Sequence, residues 1–513
     1  MTANGTRKAA GRPAAGGSGT LALIAVAVGV ATTLIRLAAT SRSFDLFGDE
    51  IIYTDLGHSA AAGGFPSITG RPFFLHPPGF FYLEAGWEKL LGYQGDLVVH
   101  VYQMRALNAV LAGATAVVLA LLVARAGSVW AAAVAGAMFA VEPYCIRQND
   151  RVLLETAMML WLLLGYLALA YLIGRPPSRW VLAGAAGTGV LFGFAVLTKD
   201  VAALLTVLPL LAAAALGWGL RRRVTLLVVG CTMVTYGVYL AVVAATGYFQ
   251  ALWQAKTEGL QRLLGLIQAT GFNKFGSTSL IGRLTSEASY FGVTYILLVL
   301  ALTALVLLLR RGGPLQRVLA LLQIAAFTTL GYALFVGTLE EQALYLLLVP
   351  SMLTVPVAAT LWRGHLGRHR RVPRTVLLST MAILMLGLNL ATCVQWLVQP
   401  DNGYARLRQY LAAHVPAGSA IIAVDGTNER GITEWALSDR YRVGRWSTPA
   451  ARAKAHARYV VVPWATIKLG YGHLSPAQVR ALVRQGRPVF SFHERTYGDL
   501  VLYQLPPAGG HGR

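Results

Sequence analysis

Charged residues are scarce in this chain. Only 13% of its 513 residues are Asp, Glu, Lys or Arg, which is about half the share of a typical soluble protein. Acidic residues are the scarcer kind, with 22 Asp and Glu against 44 Lys and Arg. Long apolar runs replace the missing charge, and many approach the roughly 20 residues that cross a bilayer as a helix. The composition excludes an ordinary soluble domain and indicates a polytopic α-helical membrane protein.

Cysteine is nearly absent as well. Cys145, Cys231 and Cys393 lie far apart, and none is in the polar C-terminal region. This pattern predicts neither a disulfide framework nor a cysteine metal site.

The basic excess gives a formal net charge of +22. A nucleic-acid-binding protein would cluster its Lys and Arg residues on one folded surface. Here much of the excess is scattered over short linkers between apolar runs. We therefore expect no nucleic-acid partner.

Apolar periodicity predicts about eleven transmembrane spans. Their approximate positions are 20–40, 103–124, 129–146, 152–173, 181–198, 201–219, 224–245, 291–309, 318–337, 342–361 and 375–397. Residues 1–19 are basic and rich in small residues, which predicts a disordered N-terminus. The run at 20–40 is also compatible with a signal peptide. An anchor is favoured, because the later segments need a first span to set their orientation.

The linkers between spans fall into two sets, one of which is basic and lacks Asp and Glu. This set contains Arg7, Lys8, Arg12, Arg125, Arg175, Arg179 and the segments 221–223, 310–317 and 362–374. The positive-inside rule places it in the cytoplasm. An odd number of spans then puts the N-terminus inside and the C-terminal region outside. We expect a multi-pass protein of the cell membrane that contacts membrane lipids.

Three regions are predicted on the outer face. The first outer loop, 41–100, is long enough to hold short amphipathic helices on the membrane surface. The long outer loop 246–290 has the length of a lid or binding loop. Residues 399–513 combine helical and strand patterns, which predicts a small extracytoplasmic α/β domain. A transmembrane catalytic domain would then occupy residues 20–398.

Polar residues stand at the outer ends of several spans, where a fold can bring them together. They are Asp49, Glu50, Arg71, His76, Asp150, Arg151, Glu155, Lys199, Asp200, Glu341, Gln342 and Tyr345. A carboxylate can take a proton from an attacking hydroxyl, and cations can stabilise a departing phosphate. These residue types indicate group transfer from a lipid phosphate to a hydroxyl, with Asp49 as the base. His76, Arg151 and Lys199 would contact the phosphate.

Each of these residues also has a structural explanation. Asp49 and Glu50 suit the N-terminus of a surface helix, where negative charge is stabilising. Arg147, Arg151 and Glu155 are four residues apart and would pair along one helix face. An ionisable group near the membrane is nevertheless a functional candidate, so Arg151 and Glu155 remain in the predicted site.

Five motifs carry a family resemblance. They are "GDE" at 48–50, "HPPGFFYL" at 76–83, "RVLLETAMMLWLLLGYLAL" at 151–169, "LTKD" at 197–200 and "EEQALYLLLVPSM" at 340–352. These motifs occur in this order and are all predicted at the outer side. In both respects the chain resembles the C-type integral membrane glycosyltransferases. The branch it resembles contains the protein O-mannosyltransferases and the bacterial aminoarabinose transferases. The resemblance extends over residues 20–400 and more loosely over the C-terminal region.

The resemblance implies a polyprenyl-phosphate-linked sugar donor and inversion at the anomeric carbon. Asp49 matches the catalytic acidic residue of the first loop, and Glu50 its partner, which would orient the acceptor or the helix start. His76 stands before Pro-Pro where several relatives have Lys. Some relatives precede that Lys with a Glu linked to a metal site, whereas this chain has Leu75. A divalent metal cofactor is therefore left open.

The sequence thus predicts a membrane glycosyltransferase whose acceptor is a hydroxyl on a glycan, a lipid or a protein. The alternative is a transporter or a flippase for lipid-linked sugars. A transporter would carry charges near mid-span and broken helices in related halves, whereas the charges here lie towards one membrane face. A non-catalytic assembly protein that has kept the fold is a third hypothesis.

Overall fold

Among the described residues, each region predicted to span the membrane contains a helix. The computed structural model describes residues 16–92, 95–176, 178–267, 280–335, 342–364, 368–426 and 430–507. Its helices up to residue 398 are α1 (Gly16–Ala39), α2 (Gly48–Ala61), α3 (Gly79–Leu91), α4 (Leu97–Ala126), α5 (Val129–Val141), α6 (Pro143–Asn149), α7 (Leu154–Ala170), α8 (Arg179–Thr198), α9 (Ala202–Ala215), α10 (Arg222–Ala245), α11 (Phe249–Leu263), α12 (Leu280–Ser286), α13 (Ala288–Arg311), α14 (Pro314–Phe335), α15 (Ala343–Gly364) and α16 (Arg368–Val398).

The long apolar helices make the chain a multi-pass membrane protein. Among the described residues, seven helices are long and apolar enough to cross a bilayer, or eight if the bent pair α5–α6 is one span. Helices α7 and α9 are apolar but shorter. The exposed face of α1 carries Leu23, Val26, Val30 and Leu34 at helical spacing, as expected of a surface in contact with lipid. The count of eleven spans stays a prediction.

The bend between α5 and α6 has a local cause. The two helix axes differ by 61°, and Pro143 opens α6 at a position where its missing N–H costs nothing. The Glu142 carboxylate accepts a hydrogen bond from the Cys145 amide at 2.6 Å and another from the Thr294 hydroxyl of α13. The buried acid therefore caps α6 and ties the bend to a neighbouring helix.

Helices α1 and α4 approach closely through glycine. A Cβ on Gly113 would lie 2.0 Å from the Thr33 hydroxyl oxygen, and a Cβ on Gly29 would lie 2.6 Å from Val117 Cγ2. Small residues at helix crossings allow the backbones to meet where no hydrophobic force between helices exists. The first span is thereby packed against the bundle.

Short helices form the two outer loops. Helices α2 and α3 fill the first loop where amphipathic helices were predicted, and the two-stranded hairpin β1 (Ser67–Ile68) and β2 (Arg71–Pro72) lies between them. Helices α11 and α12 belong to the long loop 246–290, of which residues 268–279 lie outside the described part.

A mixed sheet forms the C-terminal region. Its elements are α17 (Gly403–His414), β3 (Ala420–Ala423), α18 (Ile432–Leu437), β4 (Arg442–Gly444), α19 (Pro449–Ala455), β5 (Tyr459–Pro463), α20 (Trp464–Lys468), α21 (Pro476–Val483), β6 (Arg487–Glu494) and β7 (Gly498–Gln504). The strand order is β4-β3-β5-β7-β6, with β4, β3 and β5 parallel and β7 antiparallel to both neighbours. The strand and helical patterns predicted for this region are both present. The three-residue strand β4 was missed because it is too short for a pattern.

The C-terminal region packs on the first outer loop through one continuous core. Leu46 and Phe81 from the loop share a buried cluster with Tyr404 and Leu502 from the C-terminal elements. The Tyr404 amide donates to Asp45 Oδ2 at 2.8 Å, and the Tyr497 hydroxyl donates to the Leu46 carbonyl. The fold class predicted from sequence is confirmed: a helical membrane bundle with a small C-terminal α/β region.

Two carboxyls face each other at this interface. Asp45 is fully buried and Glu494 is nearly so, and the Glu494 carboxylate accepts from the Gly403 amide at 2.6 Å. Burial, together with the charge of Asp401, raises the pKa of Asp45 to about 7. Burial, together with the charges of Asp45 and Asp401, raises the pKa of Glu494 well above its usual range. The pair therefore retains a proton at neutral pH.

This pair predicts a pH-dependent interface. A carboxyl with a raised pKa binds more protons in the folded state, so its contribution is complete below its unfolded pKa near 3.8 and is lost as the pH rises through about 7. We expect the melting temperature of the detergent-solubilised protein to fall between pH 5 and pH 8. Glu494→Gln should flatten that fall, whereas Glu434→Gln on α18 should leave it unchanged. Equal slopes in wild type and Glu494→Gln would contradict the assignment.

Candidate active site

Helix α2 presents Asp49 in its first turn. The Phe47 amide, just before the helix, donates to Glu50 Oε1 at 2.8 Å, which fixes the helix start. Asp49 is half-buried and Glu50 is fully buried, because neighbouring residues on a helix point about 100° apart. The two acids of the "GDE" motif therefore face different surroundings.

Glu50 is held by Arg105 of α4. Arg105 Nε donates to Glu50 Oε2 at 3.0 Å, and Nη2 donates to Oε1 at 2.6 Å. The same guanidinium donates to the Phe44 carbonyl at 2.7 Å, and the Val152 amide donates to Glu50 Oε2 at 3.2 Å. Both side chains are fully buried, so Glu50 anchors the helix start and has no surface for a ligand. The sequence-based prediction missed Arg105, although a charge inside an apolar span was the available signal.

Asp49 is connected to a lysine through an amide. Gln342 Nε2 donates to Asp49 Oδ2 at 2.9 Å, and Lys199 Nζ donates to Gln342 Oε1 at 2.9 Å. Lys199 also donates to Glu155 Oε1. These residues come from the first turn of α2, the end of α8, the turn before α15 and the first turn of α7. The structure thus brings four predicted residues into one hydrogen-bonded row.

The Gln342 side-chain amide has one orientation that satisfies both of its neighbours in the row. The amide oxygen of Gln342 faces the ammonium of Lys199, which has only donors, and its NH₂ faces the carboxylate of Asp49, which has only acceptors. The amide therefore bridges the two side chains, accepting from Lys199 and donating to Asp49. A carboxylate oriented by a hydrogen-bond donor suits a group that accepts a proton.

A second cluster adjoins this row at the end of α8. Asp200, which follows Lys199, accepts from Lys256 Nζ at 2.6 Å and from the Tyr236 hydroxyl at 2.8 Å. Lys256 also donates to the Leu75 carbonyl at 3.1 Å, beside His76. Lys256 lies on α11, so it joins the long outer loop to the first one. It was not predicted individually, although its loop was marked as a binding loop.

His76 and Arg71 lie on the same stretch before α3. The half-buried His76 ring meets Tyr53 of α2 edge-on, with ring centroids 5.9 Å apart. Arg71 is exposed on β2. His76 is therefore close to both helix α2 and the Lys256 contact, whereas Arg71 lies at the periphery.

Other predicted residues are buried away from solvent. The guanidinium of Arg151 lies 4.7 Å from the centroid of the Phe47 ring and donates to the Thr496 hydroxyl at 3.3 Å. Asp150 is fully buried between α6 and α7. The hydroxyl of Tyr345 accepts from Asn149 Nδ2 at 3.1 Å. These hydrogen bonds of Arg151 and Tyr345 go to residues outside the row, and Glu341 lies outside the described residues.

The residues around position 75 do not fit a metal ion. Leu75 offers only its backbone carbonyl, and that oxygen accepts from the Lys256 ammonium. An ammonium already neutralises Asp200 at this point. No catalytic step is therefore assigned to a metal here.

The chain is similar to known proteins in part of its sequence and in its fold. Residues 81–255, about a third of the chain, match the family model described as dolichyl-phosphate-mannose-protein mannosyltransferase. The chain is also similar to ArnT from Cupriavidus metallidurans, solved bound to undecaprenyl phosphate, with a TM-score of 0.58 and 15% identity over 97% of this chain and 100% of that one. No curated protein sequence matches the chain.

A second solved structure has the same fold. The archaeal oligosaccharyltransferase AglB from Archaeoglobus fulgidus, in complex with an inhibitory peptide and a dolichol-phosphate, gives a TM-score of 0.59 at 11% identity, over 96% of this chain and 75% of that one. The resemblance to C-type glycosyltransferases of the O-mannosyltransferase and ArnT branch is confirmed. Residues 81–255 thus match a mannosyltransferase family model, and the chain has the fold of these membrane proteins.

The Gln342 bridge predicts a specific kinetic effect. Gln342→Leu keeps the side-chain size but removes two charge-assisted hydrogen bonds, each worth roughly 1.5–3 kcal/mol. The loss of one such bond corresponds to a fall of about 10- to 100-fold in rate. We expect sugar transfer in isolated membranes to fall by at least this factor. The acidic limb of the pH–rate profile should move to higher pH, because Asp49 loses a donor to its ionised form.

The control is Gln316→Leu, which removes a hydrogen bond to the Ala126 carbonyl at the opposite end of the bundle. It should leave both the rate and the pH profile unchanged. A normal pH profile in Gln342→Leu would show that the bridge does not tune Asp49.

Proposed function

We propose that this protein transfers a sugar from a polyprenyl-phosphate-linked donor to a hydroxyl acceptor on the extracytoplasmic face, with inversion at the anomeric carbon. The observation that carries the proposal is the half-buried carboxylate of Asp49, joined through Gln342 to Lys199. In this proposal Asp49 is a base that shares a hydrogen-bonded bridge with a cation at one end of the helix bundle. ArnT with undecaprenyl phosphate and AglB with dolichol-phosphate support the class of donor.

Asp49 would act as the general base. The acceptor hydroxyl gives its proton to the Asp49 carboxylate as its oxygen bonds to the anomeric carbon. The bond between that carbon and the phosphate oxygen breaks on the opposite side, and the phosphate leaves with the electron pair. A positioned carboxylate contributes typically about 10²- to 10⁴-fold to such a rate. The acceptor is a glycan, a lipid or a protein hydroxyl.

Three cationic or polar groups would receive the phosphate. Lys199 is 14% exposed and Lys256 is 23% exposed, so both ammonium groups can be reached by a ligand. The His76 ring contacts Tyr53 of α2, and His76 follows Leu75, whose carbonyl accepts from Lys256. The sequence predicted Arg151 as a phosphate contact, but its guanidinium is buried against Phe47 and Thr496. In this proposal Lys256 has that role instead. Preorganised cations at a developing negative charge stabilise the transition state.

Glu50 would position the site without contacting substrate. Its carboxylate is fully buried, and both oxygens are bonded to Arg105. In this proposal Glu50 has the second of its two predicted roles, that of fixing the helix start.

The decisive variant is Asp49→Asn. The amide is nearly the same size but cannot accept the proton, so we expect the protein to insert and fold while transfer falls about 10²- to 10⁴-fold. Donor retention can be measured by mass spectrometry of the lipid that copurifies with the variant. The matched control is Asp55→Asn on the same helix, which should keep near-normal transfer. If Asp49→Asn kept more than about a tenth of the wild-type rate, Asp49 would be only a helix-capping acid.

The proposed orientation is tested by cysteine labelling. Gln485 is exposed after α21, and Arg175 is exposed in the linker between α7 and α8. In intact cells, Gln485→Cys should react with a membrane-impermeant maleimide, and Arg175→Cys should react only after lysis. Wild type gives the background from its own cysteines. The reverse labelling pattern would place Asp49 on the cytoplasmic side.

A further inference from the structure

Three metal-ligand side chains converge at the end of α2 opposite Asp49. His58 lies in the last turn of α2, Glu88 lies on α3 and His100 lies in the first turn of α4. Their ligand atoms all lie within 4.8 Å of one another. His58 Nδ1 is 2.8 Å from Glu88 Oε1, and His100 Nε2 is 3.6 Å from Glu88 Oε2. The sequence motifs gave no indication of this cluster.

The distances suit a tetrahedral ion. With ligand bonds near 2.1 Å, neighbouring ligands of a tetrahedral zinc ion are about 3.4 Å apart. The distance from each histidine nitrogen to one Glu88 oxygen, Oε1 for His58 and Oε2 for His100, is within about 0.6 Å of that spacing. The imidazole rings of His58 and His100 are perpendicular, with centroids 5.7 Å apart. Two histidines and one carboxylate from different helices form a ligand set that zinc takes in proteins, with a fourth position left for water.

A buried carboxylate beside the cluster gives a second, independent indication. Glu84 lies one turn before Glu88 on α3 and is fully buried. Neither of its carboxylate oxygens has a hydrogen-bond partner among the described residues. Its Oε2 would be 3.0 Å from a Cβ on Gly57, the residue before His58. A buried carboxylate without a partner is costly, and a cation held by the cluster would compensate it.

The cluster is open on one side. The His58 side chain is 50% exposed, Glu88 is 10% exposed and His100 is 1% exposed. An ion from solvent can therefore reach His58 first and bind against the buried pair.

We propose that His58, Glu88 and His100 bind a divalent transition-metal ion, with zinc favoured by the ligand type. The ion fastens the C-terminal end of α2 to α3 and α4. Asp49 is nine residues earlier on α2, about 14 Å along the helix axis, so the ion takes no part in the transfer step. It fixes the helix that carries Asp49, and its binding is independent of whether Asp49 is the base.

Metal binding is measured on the purified full-length protein in detergent. After removal of metal with EDTA, titration with zinc chloride should show one tight site per chain, and elemental analysis should find one zinc after dialysis. Zinc should also raise the melting temperature. His58→Gln and Glu88→Gln should weaken binding by at least the roughly 10- to 100-fold that accompanies loss of an outer-shell partner. His58→Gln is the safer variant for folding, because His58 is half exposed.

The control is His493→Gln. His493 forms an exposed pair with Asp499, with Nδ1 and Oδ1 2.7 Å apart, but this pair is not part of a three-ligand group among the described residues. Zinc affinity should be unchanged in this variant. Absence of stoichiometric zinc in wild type, or equal affinity in wild type and His58→Gln, would overturn the proposal and leave the cluster as a hydrogen-bonded network.

Discussion

The end of the helix bundle that carries Asp49 depends on the buried ion pair between Arg105 and Glu50. One guanidinium bonds the carboxylate and also the carbonyls of Phe44 and Asp45 in the turn that leads into α2. Removing one partner of a buried pair typically costs about 3–5 kcal/mol, because the other charge is left uncompensated. The position of Asp49 follows from this pair, since Glu50 fixes the start of the helix on which Asp49 stands.

Much of this architecture could be predicted from the residues alone. Apolar runs located the helices because a backbone in a bilayer must satisfy its own hydrogen bonds. Short contiguous runs of Ile and Val located β3 and β5. The order of motifs also predicted that Asp49, Glu155, Lys199 and Gln342 stand at one end of the bundle, where the structure joins them in one row.

The remaining features depend on partners that are distant in sequence. Arg151 and Lys199 look equally suitable in sequence, yet Arg151 is covered by Thr496, 345 residues later. In the sequence, Lys256 is one cation among others in a long loop. Only the fold shows that α11 positions it against Asp200 and the Leu75 carbonyl. Burial by a separate part of the chain leaves no local pattern. Side-chain identity therefore indicated which chemistry is available, and only tertiary packing showed which side chains a ligand can reach.

The contact between Asp45 and Tyr404 has a consequence for biogenesis. These residues are 359 positions apart, so the turn that Arg105 holds gains this further hydrogen bond only after Tyr404 has been synthesised. N-terminal segments generally fold first during synthesis, and contacts this distant in sequence form late. The spans can insert one after another with the Arg105–Glu50 pair in place, but the contact with the C-terminal region forms last. A nascent chain lacking that region therefore has its membrane bundle before the turn that leads to Asp49 has all of its hydrogen bonds.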